Sequence, residues 1–238
     1  MLKAEECGEV VQFSFQRRFL GGVLGQVQSF LVDGLLIDTG PAKCGRKMLK
    51  ICRQYRLTQI VNTHHHADHI GNNAILQREF SLPVRAQREA LPIIRQPQEN
   101  LRLNFYQRLV WGVPAAAKAR RIGSQLSTPR YSFRILPTPG HCPDHICLYE
   151  EKQGWLFAGD LLRPESTSRA EQFWPGEDEA GRYNSLKRVA QLDLTKIFSA
   201  SMGIVDDPGP LIRQQLERCE KELADGEAAN SYSQVKFN

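Results

Sequence analysis

A chain of 238 residues, 41% hydrophobic and 24% charged, carries enough apolar material for one sizeable core, which excludes a largely disordered protein. The formal net charge of +5 and pI near 8.9 fall short of the clustered basic footprint of a dedicated nucleic-acid binder, although they admit an anionic substrate. No run reaches the roughly 18 apolar residues of a membrane span, and the acidic start Met1-Leu-Lys-Ala-Glu-Glu-Cys-Gly has no signal-peptide core. A cytoplasmic protein without a membrane partner is expected.

Val10 to Phe15 and Val23 to Val32 mix β-branched and aromatic residues in partial alternation around Gly21-Gly22, which predicts two antiparallel strands joined by a turn. Leu35-Leu36-Ile37 predicts a short buried strand running into the turn Asp38-Thr39-Gly40-Pro41. Lys43 to Tyr55 sets Met48, Leu49, Ile51 and Cys52 among basic residues, the pattern of an amphipathic helix. The strand Gln59 to Asn62 then delivers the chain into Thr63-His64-His65-His66-Ala67-Asp68-His69, with a helix to follow over Asn72 to Arg78 and a short strand over Val84 to Ala86. From Gln87 to about Pro129 the chain reads as mostly helical, broken at Pro92, Pro97, Gly112-Val113-Pro114 and Pro129, which suggests an insertion or lid. Between Arg78 and Arg134 eleven Lys or Arg stand against three Glu, so this segment holds the excess positive charge. Strands are predicted over Tyr131 to Leu136, Ile146 to Tyr149, Trp155 to Ala158 and Thr195 to Phe198, and helices over Ala180 to Leu192 and Leu211 to Leu223. The expected organisation is one domain over 1–225 with a basic helical insertion at about 87–130, and a polar, fraying tail at 226–238.

The strongest chemical signal is His64-x-His66-x-Asp68-His69, four potential ligands within six residues. Extended backbone sends alternate side chains to one side, so His64 and His66 can face one point while Asp68 and His69, at the turn into a helix, face a neighbouring one. Neutral imidazole with carboxylate suits zinc, with iron or manganese as alternatives. His141 in Thr-Pro-Gly-His and Asp160 in Ala-Gly-Asp each end a predicted strand and are weak signals singly. The six cysteines are scattered with no Cys-x-x-Cys pair, as free thiols are; Cys142 stands apart only because it follows His141.

Taken together, Asp38 in Ile-Asp-Thr-Gly, the His64 to His69 cluster, His141 and Asp160 appear in the order found in the metallo-β-lactamase superfamily, which the chain resembles from Asp38 to about Val205. The segment Gly140-His-Cys-Pro-Asp-His-Ile-Cys-Leu-Tyr149 looks like the general hydrolase branch that includes glyoxalase II. The resemblance implies an α/β fold, a four-layer αββα sandwich of two mixed sheets flanked by helices, with the site at one edge of the sheets. It implies that His64, His66 and His141 hold a first metal, that Asp68 and His69 help to hold a second, and that Asp160 bridges them. One or two zinc ions would activate water, with Asp68 orienting it or taking its proton and Asp38 supporting a ligand. The family's usual last histidine is absent: Phe198-Ser-Ala-Ser-Met-Gly-Ile-Val205 takes that stretch, with Ser201 or Met202 at the place. A full first site and a weak second one are therefore expected, with His145, Asp206 or Asp207 as substitute donors or His145 as a supporting group.

The implied reaction is hydrolysis of an ester, thioester, amide or phosphoester in a small substrate, with an anionic one admitted by the net charge, and the fold alone does not choose among these. Phe105, Tyr106 and Trp111 in the basic segment, and Trp174 in Phe173-Trp-Pro-Gly176, are candidate walls, and the same segment could serve a homodimer. Three alternatives remain open at this point: a persulfide dioxygenase-like enzyme with one iron, a nuclease, which is not favoured because no appended nucleic-acid domain is recognisable, and a catalytically weakened metal-binding homologue.

Overall fold

The computed structural model describes residues 1–19, 22–164 and 177–234. Its strands form two sheets. The first has seven strands in sequence order: β1 (Leu2–Cys7), β2 (Val10–Phe19), β3 (Gly22–Val32), β4 (Leu35–Ile37), β5 (Gln59–Val61), β6 (Val84–Ala86) and β7 (Ala119–Arg121). Pairing is antiparallel from β1 to β4 and parallel from β4 to β7. The second sheet has six strands, β8 (Gln125–Ser127), β9 (Ser132–Pro137), β10 (Ile146–Glu150), β11 (Trp155–Gly159), β12 (Lys196–Ser199) and β13 (Gly203–Asp206), and only its β11–β12 pair is parallel.

Period-two alternation sorts the side chains of these strands into three apolar layers. Leu35, Ile37 and Val61 of the first sheet meet Ile146, Leu148, Phe157 and Phe198 of the second in a core between the sheets. There the Phe157 and Phe198 rings stack at 4.5 Å, and Phe30 meets both edge-on. The residues in between point outward. Leu36 and Ile60 pack under α1 (Gly45–Cys52) and α3 (Asn73–Phe80) through Met48, Cys52 and Leu76, whereas Cys147, Leu156, Ala158 and Ile197 pack under the helices Glu179–Val189 and Gly209–Gln234 through Leu186, Val189, Ile212 and Cys219. Helices cover both outer faces, so the architecture is the four-layer αββα sandwich.

Differences from the sequence reading lie where strands have no apolar face. β1 is an exposed edge strand, largely polar, and β7 and β8 are three residues each, so none offers a periodic signal. The stretch 87–130 was expected to be mostly helical and is so only as far as α4 (Leu91–Arg95), α5 (Pro97–Asn100) and α6 (Phe105–Val110); beyond, it pairs with the edges of both sheets as β7 and β8. The last helix continues to Gln234, past the Leu223 boundary expected from periodicity. Among the described residues no helix is long and apolar enough to cross a membrane.

Candidate metal centre

β4, β5, β9, β11 and β12 all end at one rim of the sandwich, and the chemistry-bearing residues follow their ends: Asp38 after β4, His64 to His69 after β5, His141 after β9 and Asp160 after β11. Strand ends of α/β sheets are where such loops converge. The loop after β5 leads into α2 (Ala67–Ile70), a single turn whose approach to its neighbours demands glycine. A Cβ on Gly71 would sit 2.2 Å from Ala42 N and 2.5 Å from Gly40 O. Asn62 Nδ2 donates to His69 O, Thr39 N donates to the same carbonyl, and Asn73 Nδ2 donates to Asn62 Oδ1. The ligand loop is thus tied to β4 and β5 by buried amides before any ion is considered.

His64 Nε2 lies 3.0 Å from His66 Nδ1, and His141 Nε2 lies 2.9 Å from the same atom. Asp160 Oδ2 is 3.1 Å from His69 Nε2, 3.8 Å from His64 Nε2 and 3.6 Å from His141 Nε2. Asp68 Oδ2 is 3.9 Å from His69 Nε2. Two ligand-type clusters overlap here, one of His64, His66 and His141, the other of His64, His69 and Asp160, each with its ligand atoms within 4.8 Å of one another.

The hydrogen bonds behind these donors fix where their protons lie. The Asp38 carboxylate can only accept, so Thr63 Oγ1–H, 2.7 Å from Oδ2, donates to it and leaves the hydroxyl to accept from His64 Nδ1–H at 3.0 Å. His64 Nε2 is then a bare lone pair. His141 Nδ1–H donates to Glu177 Oε1 at 2.9 Å, which bares His141 Nε2 in the same way. Both face His66 Nδ1, which has at most one proton to offer two acceptors, so at least one of the two lone pairs receives no proton from it, and a cation placed among them would satisfy both. Asp160 Oδ1 is also buried with no hydrogen-bond partner among the described residues. The residues present fit a metal ion.

Charge points the same way. Burial, reinforced by the neighbouring imidazoles, holds His64 and His141 well below the ordinary histidine value and His66 down to about 3, so all three are neutral donors. Burial works against protonation of His69 too, but the Asp160, Asp38 and Asp68 carboxylates outweigh it and raise its pKa. Burial pushes Asp68 up to about 6. Asp160 is depressed despite burial, because His69 sits against it.

Asp38 lies behind both clusters. Its Oδ1 accepts from Thr63 N at 2.8 Å, and its Oδ2 accepts from Thr63 Oγ1 and from His69 Nδ1–H at 2.9 Å. It adopts the left-handed backbone region, φ +61°, which aspartate tolerates better than most residues. His145 is buried and spends both ring nitrogens on the scaffold. Its Nε2 accepts from Asp160 N at 3.1 Å, so its proton is on Nδ1, facing Thr138 Oγ1 at 2.8 Å. Gly159, at φ +48°, makes room for this ring, since a Cβ there would lie 2.7 Å from His145 Nε2. His145 therefore orients Asp160 and has no nitrogen left as a substitute ligand. Asp206 is opposite Lys196 and pairs with it, at the far end of β12 from Ser199, so it is not a substitute donor.

Ser201 does reach the rim, because Ala200 N donates to Gly159 O, but its hydroxyl donates to Leu162 O at 2.9 Å. Met202 packs into the outer apolar layer of the second sheet. Trp111 is buried in the outer layer of the first sheet, its ring so close to Gly25 that a Cβ there would come within 2.4 Å; it is packing rather than an open wall. Phe105 is highly exposed on α6, with Tyr106 and Leu109 half exposed, and Trp174 lies outside the described residues. Sequence reasoning passed over Thr63, Glu177 and the pair His65–Asp144 (2.6 Å). That pair turns His65 onto Asp144 while its neighbours His64 and His66 face His141. No spacing rule marks Glu177, because its link to His141 spans 36 residues.

An αββα sandwich whose strand ends gather neutral imidazoles around a carboxylate oxygen without a partner among the described residues defines the class as a two-sheet protein with a candidate metal centre. The chain belongs to the metallo-β-lactamase superfamily, whose sequence profile matches residues 22–201. It is 28% identical over 234 residues to the probable metallo-hydrolase YqjP of Bacillus subtilis, covering 82% of this chain and 73% of that one. It is 31% identical over 136 residues to a hydroxyacylglutathione hydrolase of Bdellovibrio bacteriovorus, covering 57% of this chain but only 45% of that enzyme. Among solved structures, a metallo-β-lactamase from Pontibacter korlensis superposes with TM-score 0.74 at 17% identity, covering 92% and 99% of the two chains, a likeness of fold.

Proposed function

We propose that this protein is a metal-dependent hydrolase that cleaves a small acyl ester or thioester, with His64, His66, His141 and Asp160 as its principal ligand set. The observation that carries the reading is the convergence of bare imidazole nitrogens on His66 Nδ1 beside Asp160 Oδ1, which has no partner among the described residues. Similarity to hydroxyacylglutathione hydrolases makes an acyl group on a small anionic thiol the first substrate to try. The basic segment between Arg78 and Arg134 supplies charge of the matching sign.

Zinc is the favoured ion, because nitrogen and carboxylate donors suit it; when bound it polarises a substrate carbonyl and lowers the pKa of its water from about 15.7 to about 7. Every other part of the work falls to side chains. His64, His66 and His141 would hold the first ion and His69 with Asp68 would serve the second, with the Asp160 carboxylate lying within 3.1–3.8 Å of His64, His69 and His141. Asp68 orients the attacking water and accepts its proton, and it then returns that proton to the leaving group. Asp38, through Thr63 and His69, keeps a ligand of each position in the tautomer that offers Nε2. Since Ser201 donates its hydroxyl to Leu162 O, the second position has fewer protein donors than the first.

Metal analysis of freshly purified, tag-free protein, combined with turnover of acyl-glutathione thioesters and aryl esters, tests the reading. One to two zinc ions per chain with turnover that chelation abolishes is expected. No bound metal, or full loading without turnover on any ester or thioester, would overturn it; iron with oxygen consumption would replace hydrolysis by oxidation.

A further inference from the structure

Glu177 is the group on which the third histidine of the centre depends. Its side chain is 3% exposed, and Oε1 accepts from His141 Nδ1–H at 2.9 Å. The same carboxylate is gripped from behind. Arg163 Nη2 donates to Oε2 at 2.8 Å, and Arg182 Nη2 donates to Oε1 at 3.3 Å. Arg182 is itself 1% exposed and anchors to the backbone by donating Nη1–H to Leu161 O, next to Asp160. Arg163 continues the chain of charges, with Nη1 donating to Glu179 at 2.7 Å and to Glu222 on the C-terminal helix at 3.1 Å.

Three buried or nearly buried charges held for packing alone would be a poor arrangement, since apolar residues of similar volume often do as well or better. What distinguishes this network is where it ends: on the one nitrogen of His141 that faces away from the ligand cluster. A carboxylate there fixes the ring's tautomer and orientation and increases the basicity of the opposite nitrogen. We infer that Glu177 is a positioning residue for His141, and that the Arg163–Arg182 network makes ion affinity at the His64–His66–His141 position depend on docking of the helices Glu179–Val189 and Gly209–Gln234. Asp38 plays the corresponding part for His69 by direct contact and reaches the His64–His66–His141 position only through the Thr63 hydroxyl, so the carboxylate in direct contact differs between the two positions. The inference rests on the reading of His141 as a metal ligand.

The test titrates metal-free full-length protein with Co²⁺, following the visible spectrum and competing with a chelator, for wild type, Glu177→Gln and Glu177→Asp. Glu177→Gln keeps an acceptor near His141 but removes the charge. Glu177→Asp keeps the charge for both arginines but draws the oxygen back from Nδ1. Both are expected to weaken the tighter binding step by about 10- to 100-fold, with a changed Co²⁺ spectrum, and to leave the weaker step within about threefold. Wild-type affinity in either variant would overturn the inference, as would equal weakening of both steps, which is the signature of general structural damage. If Glu177→Gln does not fold, Glu177→Asp decides alone. Failure of the wild type itself to bind metal would overturn the functional reading with it, whereas normal wild-type binding with unaffected variants would sink this inference only.

Discussion

His64, His66 and His141 reach the rim from two loops, each of the outer two with its far nitrogen held by a partner, Thr63 Oγ1 behind His64 and Glu177 behind His141. Asp68 and His69 come from one short turn of helix, whereas in Ser199 to Met202, at the end of β12, the hydroxyl of Ser201 is given to a backbone carbonyl and Met202 to the apolar layer. The contrast teaches that a ligand position is more than its ligands. On one side the scaffold supplies bases, tautomers and orientation; on the other it supplies an oriented histidine and a carboxylate, and commits Ser201 to a backbone carbonyl and Met202 to packing.

The comparison can be broken most directly at the residue both halves share. Asp160→Ala should abolish the weaker metal step and cut turnover by about a thousandfold or more, the order expected when several kcal/mol of charge stabilisation are lost. If the variant keeps two ions and its activity, the halves do not meet at Asp160. Phe157→Ala tests whether the halves stand on a common core. Removing the ring stacked on Phe198 should cost about 3–5 kcal/mol in chemical denaturation, with both metal steps little changed in the remaining folded protein. Loss of one step alone would show that each half has its own support.

Chelation should lower the stability of the wild type by about 4 kcal/mol if the free ion had been held near a thousand times its Kd. Denaturant midpoints with and without chelator would measure it, and an unchanged midpoint would mean that the centre assembles without contributing to folding stability. Asp38→Asn should weaken metal binding by about 10- to 100-fold, mostly in the step served by His69; an effect confined to the tighter step would reverse the assignment of the two carboxylates. The smallest effect expected is a gain: Ser201→His should raise occupancy of the weaker step towards one ion, read by metal analysis after dialysis at limiting zinc. No change there would mean that the Ser201 position does not look into the centre.

Much of this could be seen in the amino-acid order alone. The unbroken apolar runs Leu35-Leu36-Ile37, Ile146 to Tyr149 and Trp155 to Ala158 foretell strands, because burial on two faces of a pleated sheet leaves no polar position between. The His64 to His69 cluster points to a candidate metal centre, because four donors in six residues need no folding to be brought near one another. Composition said little about β1, β7 and β8, whose residues are held by hydrogen bonds to a neighbour and not by an apolar face. What only the tertiary structure decided is the second layer of the centre. That Asp38 serves His69 and Thr63, that His145 holds Asp160 N, and that Glu177 backs His141 are contacts across 15 to 36 residues, and such contacts are selected by the stacking of two sheets, which leaves no periodic trace in the chain.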